Sequence, residues 1–420
     1  VMNVDREGKM VRLTVMCIVL VVLMSAAVPL VAQEGSPAAP VLVVLSLEGN
    51  IDFSRAGWIA GQPLLVGTLV NTGDLVFPDD QSELLVMCPD GSTRRFLPSE
   101  LLPNDIIDCR VDPATYIIGD VGTRRLIVQR GGRQDPGIPY LVAPRATAVR
   151  TPQIELRWNA PHDALHYTVT VRGGGEAWES DRLDPADVVR GDTAYLGLPV
   201  ALQAEVAYTV EICVVFEDLR SGCTSDPGWS GGNVAFVYLP APDVDAAEAR
   251  LIDRLGEDTP ESLYARAVLL SQPRFEDEEG VPVGFYQEAI ALLEQLFDEY
   301  PKSTLAASPE PYNLLGELYR RTALPLSAAR AYDLAAQHAL PHTEPAATAA
   351  LGRAMTTPAS DEVALYSEAL EHYQAFLNPD PFLARFRLIC RQAGGLCLQL
   401  PQCDEQPEAD CESWAREGAP

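Results

Sequence analysis

The most constraining feature of the chain is a spacing pattern between Tyr312 and Ala335. Tyr312 is followed after three, four and seven residues by Leu315, Gly316 and Tyr319, and Tyr319 after nine, thirteen and sixteen by Ala328, Tyr332 and Ala335. Offsets of three, four and seven put side chains on one face of an α-helix, so the segment reads as two helices in succession. Other copies flank it. Ala289, Leu293, Leu296 and Pro301 repeat the second-helix spacing after a first helix at 262–270, with an acidic insertion between the two. A poorer copy places Leu351 and Gly352 before Ala369, Tyr373 and Phe376. About three copies are the minimum for a self-supporting stack, and residues 245–393 are accordingly expected to form one helical array, closed by flanking helices at 245–255 and 382–392.

The pattern resembles a tetratricopeptide repeat. The resemblance implies antiparallel helix pairs that approach closely at Gly316, Ala328 and Ala335, with aromatic rings filling the gaps between layers. It therefore assigns Tyr312, Tyr319 and Tyr332 to packing. It also implies a concave surface that holds a partner protein or peptide. The polar residues Asn313, Glu317 and Arg320 on the first helix are the candidate binding residues of that surface.

The first half of the chain has a different texture. Residues 41–130 read as brief strands broken by Gly, Pro, Asn and Asp. Gly49-Asn50-Ile51, Thr72-Gly73-Asp74-Leu75-Val76 and Asp90-Gly91-Ser92 resemble the FecR domain of bacterial envelope proteins, whose pattern is a Gly-x-Val start, a Gly-Asp between strands and an Asp-Gly-Ser turn. Residues 144–239 form a second β module. Trp158 is suited to plug a sandwich core, while Tyr167, Val169 and Val171, and then Tyr208, Val210, Ile212 and Val214, alternate inward. With Leu202 six residues before Tyr208, the spacing of a tyrosine corner, the segment resembles a fibronectin type III domain. The expected fold class is thus multidomain: two all-β modules followed by an all-α repeat array and an irregular, acidic, Cys-bearing tail at 401–420.

Compartment follows from the N-terminus and the cysteines. Arg6, Lys9 and Arg12 precede the apolar run from Leu13 to Met24, and Ser25, Ala26, Ala27 and Ala32 are small; residues 1–32 read as a secretory signal peptide. The alternative is an uncleaved anchor, the one way in which the chain would be membrane-bound. Setting aside Cys17, eight of the nine cysteines remain, an even number that fits disulfides in an oxidising compartment. Cys88 is expected to pair with Cys109, and Cys213 with Cys223, because Cys213 points away from the inward set of its strand. The pairing of Cys390, Cys397, Cys403 and Cys411 is left open, and their spacing without a CxxC argues against zinc.

A net charge of -28, from 59 acidic and 31 basic residues, disfavours nucleic acid as a partner. No phosphate loop, dinucleotide fingerprint or zincin motif occurs. Gly228-Trp229-Ser230-Gly231-Gly232 matches a nucleophile elbow in letters alone, since a Pro-Gly turn precedes it and a strand-like segment follows. The pairs His162/His166 and His338/His342 have a metal-like spacing but sit beside Pro161 and Pro341. No catalytic residue, metal or cofactor is expected. The resemblances imply an exported, non-enzymatic scaffold that binds envelope proteins through the helical repeats. The alternative is a carbohydrate or cell-wall sensing module that holds polysaccharide through its β modules.

Overall fold

The computed structural model describes residues 42–417 except 72, 99, 101–108, 110–121, 124–133, 135–136, 225–233, 277–281, 358–360 and 406–409. Residues 1–32, expected to be a signal peptide or an anchor, and Ser230 therefore lie outside the described residues. Strands occupy the N-terminal region and helices the C-terminal half.

The first strand, β1 (Leu42–Glu48), opens with Leu42, Val43, Val44 and Leu45, none of them exposed. Alternate residues of a strand face opposite sides, so four buried residues in a row mean burial on both faces. Further strands are β2 (Ile51–Ser54), β3 (Gln62–Pro63), β4 (Leu69–Val70), β5 (Leu75–Pro78), β6 (Glu83–Met87) and β7 (Thr93–Phe96). They form two small sheets, ordered β4-β1-β6-β7 and β3-β2-β5. The Cys88–Cys109 disulfide follows β6.

After β8 (Gly122–Thr123), the second module supplies β9 (Leu141–Ala143), β10 (Thr147–Val149), β11 (Glu155–Asn159), β12 (Ala164–Gly173), β13 (Glu176–Glu179), the short helix α1 (Pro185–Val188), β14 (Val189–Arg190), β15 (Thr193–Gly197), β16 (Ala207–Phe216), β17 (Ser221–Cys223) and β18 (Val234–Tyr238). One sheet runs β10-β18-β16-β12-β13 with β17 added beside β16, and the other runs β14-β15-β11-β9. The two share a core centred on Trp158, Tyr167, Ile212 and Phe236, in which the Trp158 and Tyr167 rings meet edge to face at 5.5 Å. Strict alternation along β16 leaves Cys213 on the outer face, opposite Cys223 of β17, and the two form a disulfide. The Tyr208 hydroxyl accepts a hydrogen bond from the Gln203 amide at 2.6 Å, fixing the loop that enters β16.

Helices follow: α2 (Pro242–Leu255), α3 (Pro260–Ser271), α4 (Tyr286–Glu299), α5 (Pro309–Arg321), α6 (Pro325–His338), α7 (Glu344–Thr356), α8 (Glu362–Phe376) and α9 (Pro379–Ala393). Proline stands in the first turn of α2, α3, α5, α6, α7 and α9, where its missing N–H costs nothing and its fixed φ suits the helix. Between α3 and α4, β19 (Phe275–Glu276) and β20 (Pro282–Val283) pair, and β8 joins them. Helices pack as hairpins, α3 with α4, α5 with α6 and α7 with α8, stacked side by side. Tyr332 of α6 shows how closely. A methyl group on Gly316 of α5 would lie 2.8 Å from its ring, and one on Gly352 of α7 would lie 2.4 Å away. Only glycine on both neighbours leaves room for the ring.

The tail departs from the irregular segment that its composition suggests. A 3-10 helix (Gly394–Gln399) and α11 (Cys411–Glu417) fold back onto α9, with the short α10 (Gln402–Glu405) against the 3-10 helix. Disulfides Cys390–Cys397 and Cys403–Cys411 close short loops, constraining the unfolded chain. Trp414 packs on Phe386, while Glu417 pairs with Arg387 and Arg391. Local covalent closure and one half-buried ring, Trp414, thus order a stretch whose acidity alone favours solvent.

The core arrangement distinguishes the two β modules. The sandwich encloses its own cluster. The first module's buried residues, Ile51, Phe53, Val76 and Leu84 among them, run on into helical ones. Val43, Leu45 and Met87 join a cluster made largely of α2 to α5, whereas Leu42, Val44 and Val86 join one completed by α7 to α11.

Candidate functional site

The first module lies along the helical array and touches its successive layers. At one end Arg250 of α2 donates to the Asp90 carbonyl at 2.9 Å. Tyr264 of α3 then donates its hydroxyl to the Gly67 carbonyl at 2.7 Å, and Ser308, just before α5, donates to Val66 at 2.6 Å. The amide of Glu344, at the start of α7, donates to Gln62 Oε1 at 3.0 Å. At the far end the Ile59 amide donates to Phe376 of α8, and the Asn378 amide to Gly57, both at 2.8 Å. Gly67 is fixed twice over. Its φ of +94° suits only glycine, and a methyl group there would come within 2.9 Å of Glu310 Cβ.

At this junction lies a cavity of about 250 Å³, bounded by the β module and by α3, α5 and α7. Its charged groups are Arg55, Glu310 and Glu344, with Tyr264 and Asn313 beside them. Arg55 is spent on its neighbours: Nε meets Asp74 at 3.0 Å, Nη1 meets Glu344, and Nη2 donates to the Leu69 carbonyl. Its guanidinium also lies 5.4 Å from the Phe53 ring centre and 5.6 Å from that of Trp58. Burial works against this charge, yet Glu344 and Asp74 outweigh it and hold the Arg55 pKa above its usual value. Glu310 behaves oppositely. Burial, then repulsion from Glu344, pushes its carboxyl up to about 7, against the pull of Arg55 and a hydrogen bond with Thr68. One arginine thus faces three carboxylates: it meets Asp74 and Glu344 directly and pulls on Glu310, which is also hydrogen-bonded with Thr68.

Asn313 completes the wall. It is 5% exposed, its Nδ2 donates to the Pro345 carbonyl at 3.0 Å, and its Oδ1 has no partner. That carbonyl pins the amide, so Oδ1 is a buried acceptor awaiting a donor, which costs folding free energy if left unmet.

The three polar residues singled out on α5 separate. Asn313 lines the cavity. Glu317 and Arg320 pair with each other at 2.8 Å, and Glu317 also receives Arg321 and the Tyr332 hydroxyl. Burial would raise the Glu317 pKa, but Arg320 and Arg321 hold it low. Tyr332 is buried, while Tyr312 stacks between Phe297 and His338. His338 therefore lies apart from His342, which meets His372 at 5.5 Å. His162 stands in the turn before β12, and His166 within it. Arg55, Glu310 and Glu344 escaped sequence reasoning because no local spacing links them: Arg55 and Glu344 lie 289 residues apart. The unbroken apolar run Leu42 to Leu45 was the available signal, since it marks a strand covered on both faces.

No known protein-family model matches the chain, and no curated protein is similar to it in sequence.

Proposed function

We propose that the protein is a non-enzymatic, exported scaffold of the bacterial cell envelope, composed of a FecR-like module, a fibronectin type III-like sandwich and a tetratricopeptide-like array that binds partner proteins. The observation that carries this reading is the row of contacts from Asp90 to Ile59 along the array. The resemblance to tetratricopeptide repeats implies a ligand-holding face on the first helices of the hairpins, and the contacts of α3, α5 and α7 with the first module support such a holding role. The array is a holder whose first occupant is internal. Four disulfides among the described residues support folding in an oxidising, extracytoplasmic compartment, and no described helix is long and apolar enough to cross a membrane.

Partner capture then falls to outward surfaces of the array, where Arg320 remains exposed beside Glu317. The test is capture of envelope proteins by the immobilised full chain, with cross-links mapped by mass spectrometry. Cross-links concentrated on α5 and α6, lost with Arg320→Glu in a variant of unchanged melting temperature, are expected. Retention of cell-wall polysaccharide by residues 144–239, with no protein captured by the array, would replace the scaffold with a glycan-binding module.

A further inference from the structure

We propose that the two disulfides of the tail form one exchangeable four-sulfur site, open to a dithiol reductant. Once Cys403–Cys411 is reduced, the Cys403 thiolate takes Cys397 from Cys390. The half-reduced tail then holds a Cys397–Cys403 disulfide and thiols at Cys390 and Cys411. The exchange frees α9 and α11 from their covalent ties, and it does not depend on partner binding by the array.

Proximity makes the exchange possible. The four sulfur atoms lie within 4.8 Å of one another, and Cys397 Sγ of one disulfide is 3.9 Å from Cys403 Sγ of the other. Exchange proceeds by attack of a thiolate on a disulfide sulfur, and here attacker and target need only a small approach. Exposure sets the order of events. Cys390 and Cys397 are fully buried and Cys411 is 6% exposed, whereas Cys403 is half-buried, so a reductant in solution reaches Cys403 first. Burial sets the direction. A charge out of water is costly, so the displaced Cys390 sulfur, in a cluster with Phe386 and Leu400, takes up a proton. A buried neutral thiol packs as a small hydrophobic side chain and does not attack in return. Loop length does not oppose the change. The three closures span 6, 7 and 8 residues, a range over which closure entropy varies little.

The bonds change in three steps. One thiolate of the reductant attacks Cys403 Sγ, the Cys403–Cys411 bond breaks, and Cys411 leaves and is protonated. The reductant's second thiolate then closes on its first sulfur, which releases the Cys403 thiolate and leaves the reductant as a disulfide. Cys403 attacks Cys397 Sγ, the Cys390–Cys397 bond breaks, and Cys390 is protonated. The dithiol gives up two electrons and two protons, one protein disulfide is reduced, and the other is moved.

The test is limited reduction of the oxidised full chain with dithiothreitol, followed by N-ethylmaleimide, which blocks thiols and halts exchange. Trypsin and an Asp-specific protease then separate Cys390, Cys411 and the segment that holds both Cys397 and Cys403. In tails that carry two labels, the label should shift from Cys403 to Cys390: Cys390 and Cys411 are blocked, and Cys397 is linked to Cys403. Labels on Cys403 and Cys411 with Cys390–Cys397 intact, labels on Cys390 and Cys397 with Cys403–Cys411 intact, or the absence of any two-label tail would overturn the exchange. Cys390→Ser probes the same step without reductant. Its Cys397 thiolate should displace Cys411 from Cys403, so that Cys411 takes the label; label on Cys397 in the folded variant, with Cys403–Cys411 intact, would also overturn it. Should the variant fail to fold, the wild-type labelling alone decides.

Discussion

The two β modules differ in where their buried faces go: the sandwich encloses a core of its own and gives one edge, Ala148, Ala235 and Val237, to the helices, whereas the first module has its buried residues in clusters that the helices complete. In the sandwich, Trp158, Tyr167, Ile212 and Phe236 meet one another. In the first module, β1 divides its buried residues between two clusters that the helical array completes. A domain boundary drawn from composition is therefore a statement about chain texture. Independence depends on where the apolar faces go.

The largest expected contrast is between fragments. Residues 137–239 should fold alone and melt cooperatively, whereas residues 41–130, deprived of the helices, should show neither near-ultraviolet circular dichroism nor dispersed amide resonances. A cooperative melt from the second fragment would erase the distinction.

Next in size is Arg55→Met in the full chain. Removing the cation strands Asp74 and Glu344, and breaking a buried pair of this sort costs roughly 3–5 kcal/mol. Urea unfolding followed by near-ultraviolet signals should show the loss in the array and first module, with the sandwich transition unmoved. The converse experiment replaces Cys213 and Cys223 with serine. Their separation of 10 residues implies a loss of roughly 2.5–3 kcal/mol in the chain-entropy model, confined this time to the sandwich.

Gly316→Leu should cost roughly 1–3 kcal/mol through overpacking against Tyr332, and the shared clusters should carry the effect into the first module while the sandwich's own core stays protected. Hydrogen exchange resolved by segment would detect that spread; equal loss of protection in β11 and β16 would contradict it.

The smallest signal is a pH dependence. Glu310 has its carboxyl raised to about 7 in the folded protein from an ordinary 4.5. The folded state thus keeps a proton that the unfolded chain has released, so this contribution is complete below the ordinary value and lost as the pH climbs toward 7. Glu310→Gln holds the neutral form throughout and should flatten that part of the stability profile. An unchanged slope in the variant would show that Glu310 ionises freely.

What the sequence discloses follows the range of the interactions. Alternation in β12 and β16 is legible because period two is local, and the disulfide across Cys213 and Cys223 is legible for the same reason. Gly316 is also legible, although its partner ring is sandwiched by a second glycine, Gly352, which spacing alone did not connect to it. The cavity was hidden. Its charges come from a strand end, α5 and α7, and only the packing of the β module onto the helices brings them together. Even Asn313, picked out as a polar residue of the first helix, gave no hint that its neighbours would be Arg55 and Gly67.

Repeat stacks behave as springs, because small rotations between neighbouring layers add up along the length. Here one module is fastened to α2 through Asp90, to α3 and α5 through Val66 and Gly67, to α7 through Gln62 and Arg55, and to the α8–α9 junction through Gly57 and Ile59. A spring tied at every coil cannot stretch or change its pitch without tearing the ties. In mechanical terms these ties make the helical stack stiffer along its length than the same hairpins would be without the first module.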